Sequence, residues 1–359
     1  MSFMNRRFVL RLISVLLATS LASAKDHSIS EPVTRDWAQY PAIVSIPAPQ
    51  TLYALGDVHG DYDRLVQLLV AGKIIDAAPA SPDAVHWAAG HAVLVCTGDM
   101  IDRYNHTLPV LALMRALQPQ ALAAGGRVIC TLGNHEANFL ASQGDDKKPA
   151  DFAAELTAAG ISPADVALGR DAGGIGAWLR NLPAGAKVGD WFFCHAGNTG
   201  GETLDDLSAK IQQQVTAQGW GAPILSDPNS MLEARMHPRP WWEWDGAEPT
   251  LKDVADPATE NKSADGAAEE QRLRKTVEAL GAKHLVFGHQ PGKVTFLDGT
   301  GRAEGQMYGK YDGLVFMIDT GMSRGVQAGR GALLKIDPLS PHPSATAVYA
   351  DGATKVLWP

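Results

Sequence analysis

The chain has 359 residues, 45% of them hydrophobic and 19% charged, the balance of an ordinary globular protein with length enough for a large core. One large α/β unit and two smaller domains both fit that length. The formal net charge is −8, and an acidic surface argues against nucleic acid as the main partner.

In chain order, residues 1–24 read as an export signal. Arg6 and Arg7 form a basic start, Phe8–Leu21 is mostly apolar, and Ala22-Ser23-Ala24 fits a small-residue cleavage site. The mature chain is expected to start near Lys25 in the periplasm or outside the cell; an uncleaved membrane anchor is the alternative. The arginine pair leaves both Sec and twin-arginine export open. No later apolar run approaches the roughly 20 residues that span a membrane, so no stable insertion is expected after cleavage. Cleavage would remove Arg6, Arg7 and Arg11 and no acid, taking the formal charge from −8 to −11.

Residues 25–50 are polar with scattered prolines and read as an extended lead-in. The first strand is Thr51–Leu55. Asp61 is placed to cap a helix running to about Gly72, with Leu65, Leu68 and Leu69 on one face. Strand Ala92–Cys96, a helix near Leu108–Leu117, strand Arg127–Leu132 and a helix starting at His135 follow. This repeated β-loop-α order predicts a sheet covered by helices. Glycines thin the order over residues 144–185, which read as an insertion near the mouth of the site. Strand Val188–Cys194 returns to the sheet, and Thr203–Ala217 reads as a helix.

A second insertion is expected near residues 226–270. It begins with an aromatic and basic segment holding Arg235, His237, Arg239 and Trp241-Trp242-Glu243-Trp244, and continues as an acidic, alanine-rich excursion. The Trp cluster could stack a base or a phosphotyrosine ring, or form a buried plug. Helix Gln271–Leu280 leads to strand His284–Phe287. Leu314–Ile318, Ala332–Ile336 and Ala345–Tyr349 alternate as antiparallel strands closing a second sheet. No internal repeat or coiled-coil pattern is present. Cys96, Cys130 and Cys194 all fall on strands feeding the site and read as small core fillers, with one disulfide among them left open.

Three strings carry the chemistry: Gly56-Asp57-Val58-His59-Gly60, Gly98-Asp99-Met100-Ile101-Asp102-Arg103 and Gly133-Asn134-His135-Glu136. Each follows an apolar run, and His195 and His289 repeat the strand-then-ligand pattern. Five strand ends therefore deliver Asp57, His59, Asp99, Asn134, His195 and His289 to one sheet edge. Residues i and i+2 of a strand share a side, so Asp57 and His59 can grip one ion together. Asp99 can bridge two ions, Asn134 offers a neutral oxygen, and the histidines supply nitrogen. This mixed set suits Mn, Fe, Zn or Co and is too nitrogen-rich for Ca. Two such ions about 4 Å apart can share a hydroxide and hold phosphoryl oxygens for in-line attack. His135, next to a ligand, can protonate the leaving group with Asp102 holding its ring. Arg103 can clamp two phosphate oxygens.

These strings resemble the calcineurin-like metallophosphoesterases, and within them the phosphoprotein phosphatase superfamily, over about residues 51–337. The resemblance implies a four-layer αββα sandwich of two mixed sheets, with one catalytic domain over residues 51–350. It also implies one ion held by Asp57, His59, Asp99 and His289 and another by Asp99, Asn134 and His195. His289-Gln290-Pro291 and Ile318-Asp319-Thr320-Gly321-Met322-Ser323 are similar to the Shewanella-like protein phosphatases. In that group an arginine stands beside the substrate, which makes Arg239 and Arg235 candidates for a second clamp. The second string departs from the family's Asp-Arg-Gly ending, because Tyr104 replaces the glycine and adds bulk near the phosphate.

The expected function is an exported, two-metal phosphomonoesterase acting on phosphoserine, phosphothreonine or phosphotyrosine in proteins. A small-molecule phosphatase, nucleotidase or dinucleoside polyphosphate hydrolase is the rival enzyme. A metal-keeping binding protein without turnover is the rival class.

Overall fold

The computed structural model describes residues 34–142, 149–236 and 262–359, with side chains from Gly266 onward in the last stretch. The expected export signal, Arg239 and Trp241–Trp244 lie outside the described residues.

The strands are β1 (Ile43–Ile46), β2 (Leu52–Leu55), β3 (Val93–Cys96), β4 (Arg127–Cys130), β5 (Gly185–Val188), β6 (Trp191–Cys194), β7 (His284–Phe287), β8 (Val294–Thr295), β9 (Gly301–Arg302), β10 (Tyr308–Lys310), β11 (Val315–Met317), β12 (Ala332–Ile336), β13 (Ala345–Tyr349) and β14 (Thr354–Trp358). The helices are α1 (Tyr62–Ala71), α2 (Thr107–Ala123), α3 (Asn134–Ser142), α4 (Ala150–Ala158), α5 (Pro163–Ala167), α6 (Ile175–Arg180), α7 (Leu204–Gln218), α8 (Pro223–Ser226) and α9 (Lys262–Ala279).

Two six-stranded mixed sheets result, in the orders β1-β5-β6-β7-β11-β10 and β14-β13-β12-β2-β3-β4, with β8-β9 as a small separate ribbon. Strand alternation decides what packs where. Leu52, Ala54, Val93 and Val95 of one sheet share a buried cluster with Val188, Phe193, Val286 and Phe316 of the other. Their neighbours Leu55, Leu94, Cys96 and Val128 point the opposite way, into a cluster with Leu65 and Leu69 of α1 and Leu113 and Leu117 of α2. Phe192, Leu285 and Phe287 do the same on the other side, with Leu207 of α7 and Leu273 of α9. Both faces of these strands are therefore buried, which is why they read as unbroken apolar runs. The expected helix-sheet-sheet-helix layering is present.

Register positions the site. β2, β3 and β4 are parallel, with Leu55 beside Cys96 and Cys96 beside Cys130. β6, β7 and β11 are parallel, with Cys194 beside Phe287 and Phe287 beside Met317. Each trio of strands ends level, so the loops that follow leave the sandwich along one edge.

Several expectations need correction. The lead-in holds a strand, since β1 pairs in parallel with β5. Val188–Cys194 is not one strand: β5 and β6 form an antiparallel pair across Gly189 and Asp190. Residues 149–180 are more ordered than expected, as three short helices; no long helix forms, and Gly174 stands between α5 and α6 as the left-handed N-cap of α6. α9 begins at Lys262, so the end of the acidic stretch is helical. Leu314–Ile318 supplies β11, which runs parallel to β7 instead of extending the antiparallel set. The three cysteines are free and buried, and burial pushes each thiol up.

Glu155 of α4 accepts the Thr107 and Leu108 N–H groups, both at 2.8 Å, at the start of α2. These are donors that no helical carbonyl reaches. Glu155→Ala is expected to cost about 1–2 kcal/mol, read as a lower denaturant midpoint at constant m-value; an unchanged midpoint would show that the cap adds nothing.

Candidate active site

The loops after β2, β3, β4, β6 and β7 bring together all six residues predicted as metal ligands. All are buried, with Asp57 and Asp99 each 2% exposed. Asp57, His59, Asp99, Asp102, Arg103 and His289 have φ between 44° and 66°, a region that costs a side-chain-bearing residue roughly 1–2 kcal/mol. Strain of this kind persists where surrounding contacts impose it, and it concentrates at functional sites.

The imidazoles are oriented from behind. His59 Nδ1 donates to the Ile101 carbonyl at 3.1 Å, His195 Nδ1 to that of Thr97 at 2.9 Å, and His289 Nε2 to that of Glu233 at 3.1 Å. Each donor fixes a tautomer and leaves the other ring nitrogen as a lone pair facing inward. Around His195 Nε2 stand His289 Nδ1 at 3.0 Å, Asn134 Oδ1 at 3.1 Å and Asp99 Oδ2 at 3.3 Å. All four atoms are acceptors, and no neutral group among them has a proton to share. His59 Nε2 lies 3.5 Å from the same Asp99 oxygen. Asp99 thus belongs to two groups of ligating atoms, one with His195 and His289 and one with His59 and His135. A cation on each side satisfies these lone pairs, so the residues present fit a pair of metal ions.

Charge states divide: His59 and His289 are lowered toward the neutral ring, and His195 is raised toward the form that carries a hydrogen on Nε2. Burial pulls His59 down to about 4 despite the pull of Asp99. Burial and then His195 take His289 well below the imidazole range. For His195 the charge of Asp99 overcomes burial and raises it. Burial, then the carboxylates of Asp319 and Asp99, push Asp57 well above its ordinary value. Asp57 Oδ2 accepts the His289 N–H at 2.8 Å, while its buried Oδ1 has no hydrogen-bond donor among the described residues.

His135 sits at the N-terminus of α3 on the His59 side, with the ring centroids 5.0 Å apart. Its Nδ1 is 3.0 Å from Asp102 Oδ2, and the other Asp102 oxygen accepts the Phe152 N–H at 2.8 Å. Burial alone would lower His135, but Asp99 and Asp102 outweigh it and raise the group. Arg103 is exposed beside this pair, without a salt bridge among the described residues, and its charge bears on both His59 and His135. Arg235 reaches the His289 carbonyl at 3.4 Å, at the rim. The Tyr104 ring meets the Arg324 guanidinium at 4.6 Å and the edge of His106 at 5.6 Å.

Three features escaped the motif reading. Fully buried Glu136 accepts the N–H groups of Asp99, Met100, Ile101 and Gly133 at 2.8–3.2 Å, tying two ligand loops to one carboxylate. Burial and then Asp99 push it up to about 7. The loop after β11 is the second: Ser323 donates to the His59 carbonyl at 3.0 Å, and Arg324 grips Asp61 and Asp63. The third is the partition of ligands. His289 groups with His195 and Asn134, whereas the resemblance had placed it with Asp57 and His59.

With this geometry in hand, likeness to known proteins is informative. The calcineurin-like phosphoesterase family matches residues 51–293, and the chain belongs to that family, whose members are metal-dependent phosphoester hydrolases. A stretch of 88 residues is 32% identical to Shewanella-like protein phosphatase 2 of Arabidopsis thaliana, covering 24% of this chain and 21% of that one. A stretch of 147 residues is 33% identical to the symmetrical bis(5'-nucleosyl)-tetraphosphatase of Janthinobacterium sp., covering 41% and 43%. The chain thus matches less than half the length of these curated relatives. The cold-active protein-tyrosine phosphatase of a psychrophilic Shewanella species superposes with a TM-score of 0.59 over 88% of this chain and 83% of its own; at 22% identity this shows the shared fold.

Two glycines are packed directly against the ligands. A Cβ on Gly133 would stand 2.1 Å from Asp99 Oδ1, and one on Gly288 would stand 2.1 Å from Asp57 Oδ1. Gly133→Ala and Gly288→Ala are each expected to lower bound metal, measured by elemental analysis, with far-UV circular dichroism preserved. Full metal content in either variant would mean that the carboxylates can move without loss.

Proposed function

We propose that this chain is an exported phosphomonoesterase that uses two bound cations to remove phosphate from phosphorylated protein side chains. The observation that carries the reading is the buried pool of lone pairs around His195 Nε2 and Asp99, beside a His135 ring that Asp102 holds through its Nδ1. Asp57, His59 and Asp99 would hold one ion, and Asp99, Asn134, His195 and His289 the other. The donor set suits Mn, Fe or Zn. When bound, such ions would supply the acidification of a water and the screening of negative phosphoryl oxygens.

The chain's own groups do the rest. Arg103, with no carboxylate neutralising it among the described residues, can fork onto two phosphate oxygens and align the ester. Arg235 at the rim is placed for a further anionic contact. His135 is held by Asp102, whose other oxygen is fixed by the Phe152 N–H. Neighbouring carboxylates raise it against burial, which favours its protonated form, and it can deliver a proton to the leaving oxygen. Water attacks phosphorus in the same step in which the ester oxygen leaves, giving inorganic phosphate and the free hydroxyl, and no side chain is phosphorylated. The stretch of likeness to a bis(5'-nucleosyl)-tetraphosphatase favours a second reading, hydrolysis of a small phosphate ester or dinucleotide.

Four measurements test this. Turnover on phosphoserine, phosphothreonine and phosphotyrosine peptides against nucleotides and dinucleoside tetraphosphates, with Mn added, is expected to favour peptides; a nucleotide preference transfers the assignment to the second reading. His135→Ala is expected to lose about 10²–10⁴-fold on a phosphoserine peptide. The same variant should lose far less on p-nitrophenyl phosphate, whose leaving oxygen needs no proton, and should keep its metal. Equal losses on both substrates would remove His135 as the acid. Asp99→Asn is expected to lose metal and activity together. Export is read by N-terminal sequencing of protein recovered outside the cytoplasm, expected to begin near Lys25.

A further inference from the structure

A sixth loop, the one after β11, reaches the same edge and closes on the turn that carries Arg103. That turn is tight. The Tyr104 N–H binds the Asp102 carbonyl at 2.8 Å, so Arg103 is the centre of a three-residue turn, with φ at 66°. A positive φ at such a centre belongs to the rare, strained hand of γ-turn, which a residue with a side chain keeps only under constraint. Two glycines from other loops supply the constraint. A Cβ on Gly325 of the sixth loop would stand 1.9 Å from the Arg103 carbonyl oxygen and 2.9 Å from the Tyr104 nitrogen. A Cβ on Gly60 of the loop after β2 would stand 2.5 Å from the Tyr104 carbonyl oxygen. Residues 103 and 104 are thus packed, main chain to main chain, against both loops.

The sixth loop is itself pinned to the loop after β2. Ser323 Oγ donates to the His59 carbonyl at 3.0 Å and accepts the Gly325 N–H at 3.1 Å. The Arg324 N–H donates to Asp61 Oδ2 at 2.8 Å, and its guanidinium forks onto both oxygens of that buried carboxylate at 2.9 and 2.6 Å. Gly325 therefore meets the Arg103 carbonyl along a fixed path. Its own φ is not left-handed, so what calls for glycine here is the lack of room and not the backbone conformation. We propose that Gly325 is a positioning residue for Arg103. Without a side chain of its own, it lets the sixth loop close on the turn, and this closure fixes how the exposed Arg103 guanidinium is presented to a phosphate. The inference rests on Arg103 being the phosphate clamp of the reaction above. It gives a part in substrate binding to a loop that supplies none of the six predicted metal ligands.

The experiment uses Mn-loaded protein. It reads inhibition by inorganic phosphate, KM and kcat on a phosphoserine peptide, and Mn content by elemental analysis. Gly325→Ala pushes the turn away from the sixth loop. It is expected to weaken phosphate inhibition and raise the peptide KM by about 10-fold, the scale on which small misplacements of a binding group act, with Mn content at the wild-type level. A merely structural role would lower the amount of active protein, and with it kcat, at unchanged KM and phosphate affinity; that result would overturn the proposal. Arg103→Ala is expected to lose at least as much phosphate affinity. Gly325→Ala added to Arg103→Ala should then weaken it no further, because the glycine acts through the arginine. Losses that add in the double variant would overturn the proposal as well. Should Gly325→Ala fail to fold, Arg324→Lys, which keeps a cation beside Asp61 and loses the fork, is expected to shift phosphate affinity the same way by a few-fold, and not at all once Arg103 is replaced by alanine; unchanged affinity in Arg324→Lys alone would again overturn it. Wild-type phosphate affinity in Arg103→Ala would instead sink the clamp reading, and the inference with it.

Discussion

Everything at this edge depends on one electrostatic conflict. His195 Nε2, His289 Nδ1, Asn134 Oδ1 and Asp99 Oδ2 crowd within 3.0–3.3 Å of the first of these atoms, all of them acceptors and all buried. Leaving such groups unpaired in the interior costs several kcal/mol by any reckoning of polar burial, roughly 1–3 for each neutral group and more for a charge. A chain that folds into this arrangement must bind cations, take up a proton on His195, or hold the groups together against their own repulsion. The scaffold around them does the last, and so is ready for the first.

The holding is done mostly by the backbone. The His59 and Gly60 N–H groups bind the Asp99 and Met100 carbonyls at 2.9 Å, stitching the first loop to the second. Glu136 stitches the second to the third, and Ser323 ties the sixth back to the first. A net hydrogen bond contributes about 0.5–1.5 kcal/mol, and a left-handed side-chain-bearing residue costs a comparable 1–2 kcal/mol. Six strained residues therefore need about that many interloop bonds to persist, and the loops supply them. Level strand ends matter for the same reason: a slip of one residue in β3 or β7 would turn Asp99 or His289 away from the edge.

What could be read from the sequence follows from what is local. Asn134 and His135 open a helix, so their placement follows locally, whereas Asp57 and His59 lie beyond β2 with positive φ, and strand alternation identifies the pair without setting where the two side chains point. The α1 cap at Asp61 is local as well, its side chain accepting from Arg64 at 3.3 Å. What depended on contacts between distant segments was not legible. The pairing of His289 with His195 is set by the register of β6 on β7. Glu136 was visible as a letter in a motif, but its partners are backbone N–H groups, which every residue carries. Gly325 gave no signal, because Arg103, against which it packs, lies more than 200 positions earlier. The short helices between Ala150 and Arg180 have too few turns for an apolar period to register, and their order comes from docking, as the bond from Phe152 to Asp102 illustrates.

The departure at Tyr104 can be understood on the same footing. A glycine is demanded where φ is positive or where a Cβ has no room. At this turn Asp102 and Arg103 carry the positive φ, at 65° and 66°, and Tyr104 does not. The backbone at Tyr104 therefore accepts a side chain. That side chain turns toward the Arg324 guanidinium, which Asp61 and Asp63 already neutralise at 2.6 and 2.8 Å. A ring over a guanidinium contributes about 0.5–1 kcal/mol at a partly exposed site. The Tyr104–Arg324 contact thus joins the second and sixth loops once more, and the neutralised Arg324 leaves Arg103 as the cation facing outward. The tyrosine leaves Arg103 without a salt bridge among the described residues and adds another interloop contact to an edge whose geometry depends on them.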